Sequence, residues 1–228
     1  MKIGGFTRFS LIDYPGHMCA IIFTQGCNLR CFYCQNPELV LPEKFAQPIA
    51  QEEIFTFLEK RKGLIDAVEF SGGEPLLQDG LIDTIEKIKI MGYLIKIDTN
   101  GTIPDILNEI LKTRLVDYIA MDIKSSLKNY ENIAKVKVDN NAITESINII
   151  MENAPDYEFR TTVVKGFHDK DEIEKIGSLV RGAKRFFIQR VLFIKTLEDG
   201  FKAEDFTEEE LQEFKKTMTK YVKYCTIR

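Results

Sequence analysis

No apolar stretch in the 228 residues reaches the roughly 20 needed to cross a bilayer, and Met1-Lys2-Ile3 is not followed by the apolar run of a secretory signal. Nor does charge of one sign prevail. Thirty-one Lys+Arg stand against thirty-five Asp+Glu, a net −4 with the signs interspersed, which gives a nucleic-acid partner little electrostatic support. Repeats and low-complexity linkers are lacking too. Cysteine is scarce, five residues and an odd number, which argues against an extracellular disulfide framework. These absences predict a cytoplasmic protein with no membrane and no nucleic acid among its partners. What is present, 44% hydrophobic and 11% aromatic residues, suffices for a full core. The length predicts one domain over 1–228, with 1–17 as an N-terminal extension and about 203–228 as a C-terminal helix.

Apolar, β-branched runs recur at 18–24, 67–71, 93–98, 118–122, 159–164 and 186–194. They are continuous rather than alternating, as in strands buried on both faces. Between them lie segments of helical periodicity at 52–62, 81–91, 104–113, 142–153, 171–181 and 208–224. Pro104 suits a helix start, and Gly63 and Gly92 stand just past helix ends. Strands joined by helical crossovers run parallel. The predicted fold is therefore α/β, a partial (β/α)6 TIM-like barrel of parallel strands, since eight units typically need about 250 residues. The segment 124–141 reads as an elaborated loop with a short helix, and 6–14 as an extra strand pair or a lid. Tyr14-Pro15-Gly16 reads as a tight turn, and His17 after it as a structural or exposed residue.

Three cysteines crowd into Cys27-Asn28-Leu29-Arg30-Cys31-Phe32-Tyr33-Cys34, directly after the first strong strand. That places them on the rim where α/β barrels assemble their chemistry. Clustered thiols in a reducing compartment point to metal. A closed zinc site wants four ligands, and a fourth is not obvious, because Cys19 falls inside the strand pattern and Cys225 lies at the far end of the sequence; both read as packing residues. An iron–sulfur cube needs only three thiolates if its fourth iron is left to an exogenous ligand. The next strands end in Ser71-Gly72-Gly73-Glu74-Pro75, Asp98-Thr99-Asn100-Gly101 and Asp122-Ile123-Lys124. Paired glycines let backbone approach a ligand, or simply make a strand-to-helix turn. Two acidic residues on one rim repel each other unless a cation or Lys124 compensates. Arg160 reads equally as a rim ligand or an ion-pair partner, and Gln189 and Arg190 interrupt the last apolar run.

The C-x3-C-x2-C spacing with an aromatic before the last cysteine resembles the signature of the radical S-adenosylmethionine superfamily. The resemblance implies a [4Fe-4S] cluster on Cys27, Cys31 and Cys34, with S-adenosyl-L-methionine chelating the open iron. One electron then cleaves the sulfonium to methionine and a 5′-deoxyadenosyl radical that abstracts a hydrogen atom. It further implies cofactor-binding roles for Tyr33, Gly72, Gly73 and Glu74. The Asp98 and Asp122 segments are similar to those of glycyl-radical-enzyme activating enzymes. This implies that Asp98, Thr99, Asp122 and Lys124 serve the cofactor's methionyl carboxylate and a nearby monovalent cation. Residues 7–16 and 23–40 look like the activating proteins of anaerobic ribonucleoside-triphosphate reductases, apart from Gln35, where many relatives place His. The partners implied are the large subunit of such a reductase and an electron donor such as flavodoxin or ferredoxin. The alternatives are an activase of another glycyl radical enzyme, of the formate-lyase type, and a non-catalytic zinc-binding module.

Overall fold

Continuous apolar runs form strands wherever both of their faces can be covered, and here they build one sheet. The computed structural model describes residues 1–191, 195–198, 200–202 and 204–228. Its strands are β1 (Ile3–Ser10), β2 (Cys19–Thr24), β3 (Ala67–Gly72), β4 (Leu94–Thr99), β5 (Tyr118–Asp122), β6 (Tyr157–Val163), β7 (Phe186–Arg190) and β8 (Cys225–Ile227). They lie in sequential order. β1 runs antiparallel to β2, and every later pair is parallel. β2 to β7 are the six expected strands. The first and last strands are not hydrogen-bonded to each other, so the barrel stays open.

The helices are α1 (Pro37–Val40), α2 (Gln51–Glu59), α3 (Leu81–Ile90), α4 (Pro104–Thr113), α5 (Tyr130–Ala134), α6 (Asn140–Asn153), α7 (Lys170–Leu179) and α8 (Glu208–Met218). Local chemistry fixes their ends. Pro104 opens α4, where a missing N–H costs nothing. The Asp169 side chain accepts from the Glu172 N–H at the start of α7, and Thr207 and Glu210 form a reciprocal capping box on α8. The Tyr14–His17 turn closes with a 3.1 Å hydrogen bond from His17 N–H to the Tyr14 carbonyl. Gly16 stands at φ +79, a conformation that glycine adopts without a Cβ penalty.

Two boundaries differ by more than three residues from the sequence reading. The last helix stops at Met218, and the chain turns so that Cys225–Ile227 adds to the sheet beside β7. The expected strand 186–194 ends at Arg190; its residues 192–194, like residue 203 of the expected C-terminal helix, lie outside the described residues. Segment 6–14 resolves as the end of β1 and the hairpin that follows it. Among the described residues, no helix is long and apolar enough to cross a membrane.

Strand residues alternate between two environments, as the pleat requires. Ile22, Phe70, Ile97, Met121 and Phe159 pack outward against helix residues such as Ile54, Ile85, Ile110 and Ile147 in one large apolar cluster. The other face lines the barrel interior. At its lower end Tyr14, Cys19, Ile21, Ala67, Tyr118 and Ala120 form a separate apolar plug. Above that plug the inward positions turn charged: Glu69 on β3, Lys96 and Asp98 on β4, Asp122 on β5, Glu158 and Arg160 on β6. The runs are thus covered on both faces, but one of those coverings is ionic.

Candidate active site

Every residue expected to bind metal or cofactor lines one cavity of ≈ 900 Å³ at the C-terminal ends of the strands. The cysteine loop is tied down from several sides. Gly26 N–H donates to the Leu39 carbonyl at 2.7 Å, and the Gly26 carbonyl accepts from Glu74 N–H at 2.8 Å. Arg30 folds back to donate to the Cys27 and Leu29 carbonyls. The Cys27 sulfur receives two weak donors, Leu29 N–H at 3.4 Å and the Asn100 amide at 3.8 Å. Burial pushes the Cys27 thiol up to about 12 and the Cys31 thiol up to about 11, and raises Cys34 as well. Such thiols ionise when a metal takes them.

The glycine pair makes a cradle. A Cβ on Gly73 would stand 2.0 Å from the Gly26 carbonyl oxygen, and one on Gly72 would stand 2.3 Å from Thr24 N. The β3 rim thus packs directly on the backbone of β2 and of the cysteine loop, where only glycine fits, and both glycines line the cavity. Glu74 is buried in the cavity wall. Its carboxylate accepts from Leu76 N–H (3.1 Å), Thr99 Oγ1 (2.8 Å) and Asn100 N–H (2.7 Å). Glu74 and Thr99 thus lock the β3 rim to the β4 rim, and burial still pushes the Glu74 carboxyl up to about 7.

The two rim acids are compensated mainly by Arg160, whose role the sequence left open between ligand and ion-pair partner. Its Nε donates to Asp122 (2.9 Å) and a terminal nitrogen to Asp98 (3.1 Å). Lys124 Nζ lies 3.0 Å from the other Asp122 oxygen, and Lys96 Nζ lies 2.6 Å from Asp98. Burial works against ionisation of both acids, yet Arg160 and then the lysines hold their carboxyls below the usual range. Sequence reasoning missed Lys96 and its second partner, Glu69, at 3.0 Å, although both lie in register on β3 and β4. It also missed the pair of Glu158 with Arg228 (2.9 Å). The signal was available: charged residues two apart on successive strands share one face.

These residues fit the cluster and cofactor that the resemblance implies. The Tyr33 hydroxyl is buried in the cavity wall with no hydrogen-bond partner among the described residues, so a polar group remains for a ligand to satisfy. N–H···S contacts of the kind made to Cys27 are among those that tune iron–sulfur clusters. Cys19 and Cys225 do not line the cavity; burial pushes both to about 12. Among the described residues, no three His, Cys, Asp or Glu side chains gather closely enough for a single metal ion. All three cysteines of the motif nevertheless line the same cavity.

A family model described as the Radical SAM superfamily matches residues 21–179. A protein of Methanocaldococcus jannaschii, provisionally named a glycyl-radical enzyme activating enzyme, is 35% identical over 99% of this chain and 95% of its own length. The pyruvate formate-lyase-activating enzyme of Clostridium pasteurianum is 37% identical over 54% of this chain and 52% of its own length. Among solved structures, Streptococcus suis SuiB bound to S-adenosylmethionine shares the fold with a TM-score of 0.71, at 15% identity over 91% of this chain and 49% of that one.

Proposed function

This chain belongs to the radical S-adenosylmethionine superfamily, and from that premise we propose that it activates a glycyl radical enzyme, specifically an anaerobic ribonucleoside-triphosphate reductase. The superfamily works with a [4Fe-4S] cluster and S-adenosylmethionine, and when bound these supply a carbon-centred radical able to take a hydrogen atom. Cys27, Cys31 and Cys34 would hold the cluster. The Gly72–Gly73 backbone and the Tyr33 hydroxyl would meet the cofactor's amino-acid portion, with Lys124 toward its carboxylate. Asp98, Thr99 and Asp122, fixed by Arg160 and Glu74, shape that same wall.

The convergence of three thiols, a Cβ-free edge and an unsatisfied hydroxyl on one cavity carries the proposal. The 35% identity along nearly the whole of an activating-enzyme relative supports the activase class. Residues 7–16 and 23–40 favour the reductase as partner. The open barrel leaves a lateral approach for a protein loop, and the apolar Ile12, which lines the cavity, is exposed there next to the exposed Leu11 in sequence. The compensating role of Arg160 does not call for the expected monovalent cation to balance Asp98 and Asp122.

The test is anaerobic incubation of reconstituted, reduced protein with S-adenosylmethionine and candidate partners, read by electron paramagnetic resonance. A glycyl doublet on the reductase is the expected result. A doublet on a formate-lyase-type partner with none on the reductase would redirect the proposal to that partner, and stoichiometric zinc without sulfide would remove the radical chemistry altogether.

A further inference from the structure

We propose that His168 is a positioning residue for Lys124, holding the backbone of that lysine so that its ammonium stays on the cofactor wall. This rests on the reading of the cavity given above. His168 lies in the loop between β6 and α7, outside every motif that marks the site, and is 3% exposed. Its Nδ1 is 3.0 Å from the Val164 N–H. A ring nitrogen that accepts carries no proton, so the proton sits on Nε2. Nε2 lies 3.0 Å from the Lys124 carbonyl oxygen and donates to it. One tautomer satisfies both contacts.

The rest of the Lys124 backbone is held as deliberately. Its N–H donates to the Tyr130 hydroxyl at 3.3 Å. One turn into α7, Glu172 accepts from the Ser125 hydroxyl (2.5 Å), Ser126 N–H (2.6 Å) and the Asn129 amide (2.9 Å). The loop that follows β5 is therefore fastened by the start of α7, with His168 at the lysine itself and Glu172 just beyond it. Side-chain torsions alone would let a lysine ammonium wander over several ångströms; a fixed backbone and the Asp122 contact at 3.0 Å restrict it. A carbonyl freed from His168 can rotate, and small misplacements of a binding group are costly.

Two partial mimics separate positioning from mere loop anchoring. In His168→Gln the side-chain amide extends as far as Nε2 and can still donate to the Lys124 carbonyl. In His168→Asn it ends near the place of Nδ1 and serves only Val164. The experiment measures the dissociation constant of S-adenosylmethionine for the reconstituted protein by calorimetry, with cluster absorbance and thermal melting recorded for each variant. His168→Asn is expected to weaken binding about tenfold, the lower end of the range for groups that orient a ligand-binding residue, with cluster absorbance retained. His168→Gln is expected to stay within about twofold of wild type. In a Lys124→Met background the Asn substitution is expected to add little, because residues acting through one another are not additive. Equal losses in Asn and Gln, or full additivity with Lys124→Met, overturn the proposal. Failure of the wild-type protein to bind the cofactor at all would instead mark failure of the underlying reading.

Discussion

Arg160 spans Asp98 and Asp122, with Nε 2.9 Å from one carboxylate and a terminal nitrogen 3.1 Å from the other. Asp98 is the next-to-last residue of β4 and Asp122 the last of β5, neighbouring strands of the barrel, and the guanidinium reaches them from β6. Its planar fork suits a bridge between two carboxylates better than a lysine would.

Replacing this residue by methionine, Arg160→Met, leaves two partly buried like charges facing each other. Breaking a buried ion pair from one side typically costs about 3–5 kcal/mol, so a loss of that order is expected at pH 7.5 in chemical denaturation. Both carboxyls should then titrate at higher pH than in wild type. The deficit should shrink as pH falls and the acids become neutral. A variant as stable as wild type at pH 7.5 would mean that Lys96 and Lys124 suffice without the arginine.

Gly73→Ala tests the cradle. The added methyl would meet the Gly26 carbonyl oxygen at 2.0 Å and its carbon at 2.6 Å, and both are backbone atoms immediately before Cys27. Overpacking of this kind costs about 1–3 kcal/mol, and the strain is delivered to the cysteine loop. The variant is expected to fold with a lowered melting temperature and to take up substoichiometric iron on anaerobic reconstitution. Full iron loading would show that the loop does not depend on the close approach.

Cluster ligation separates the three thiols from the other two. Wild-type protein should reconstitute to about four irons per chain, whereas Cys31→Ala should lose the cluster's visible absorbance and cleave no S-adenosylmethionine to 5′-deoxyadenosine. Cys225→Ala should reconstitute normally, because that thiol is buried on β8 away from the cavity. Turnover in Cys31→Ala would show that the triad has been misassigned.

The strands β2 to β7 were legible because each is a local apolar run, and the rim residues because each follows such a run directly. β8 was not: three residues make no run, and its pairing with β7 depends on the turn after Met218 rather than on local pattern. Arg160 was legible only as a choice between two roles, since nothing local says that it faces the same lumen as Asp98. Lys96 and Glu69 were hidden by the assumption that a strand buried on both faces is apolar on both. The alternation Glu69–Ser71, Lys96–Asp98 and Glu158–Arg160 shows why that assumption fails when barrel strands carry ion pairs inward. His168 sits in a loop with no periodicity, and only the fold brings it to Lys124.

The acid limb of stability should report on His168. Burial holds its ring below the ordinary imidazole value, while the hydrogen bond it donates to the Lys124 carbonyl and the charges of Glu172 and Asp169 oppose that lowering without cancelling it. In the unfolded chain the ring takes a proton near pH 6.5, and in the native fold it stays neutral to lower pH because burial disfavours the charged ring. Below pH 6.5 the unfolded state therefore binds more protons than the native state, so stability is fully present above that pH and is lost as pH falls toward the native value. The slope approaches about 1.4 kcal/mol per pH unit for one proton. Because carboxylates titrate in the same range, the informative quantity is the difference between wild type and His168→Gln in urea denaturation at pH 7.5, 6.0 and 5.5. The wild type should lose more stability than the variant across that series. Parallel loss in the two proteins would mean that the native ring accepts a proton as readily as the unfolded one, and that the Val164 N–H does not hold Nδ1 in its accepting form.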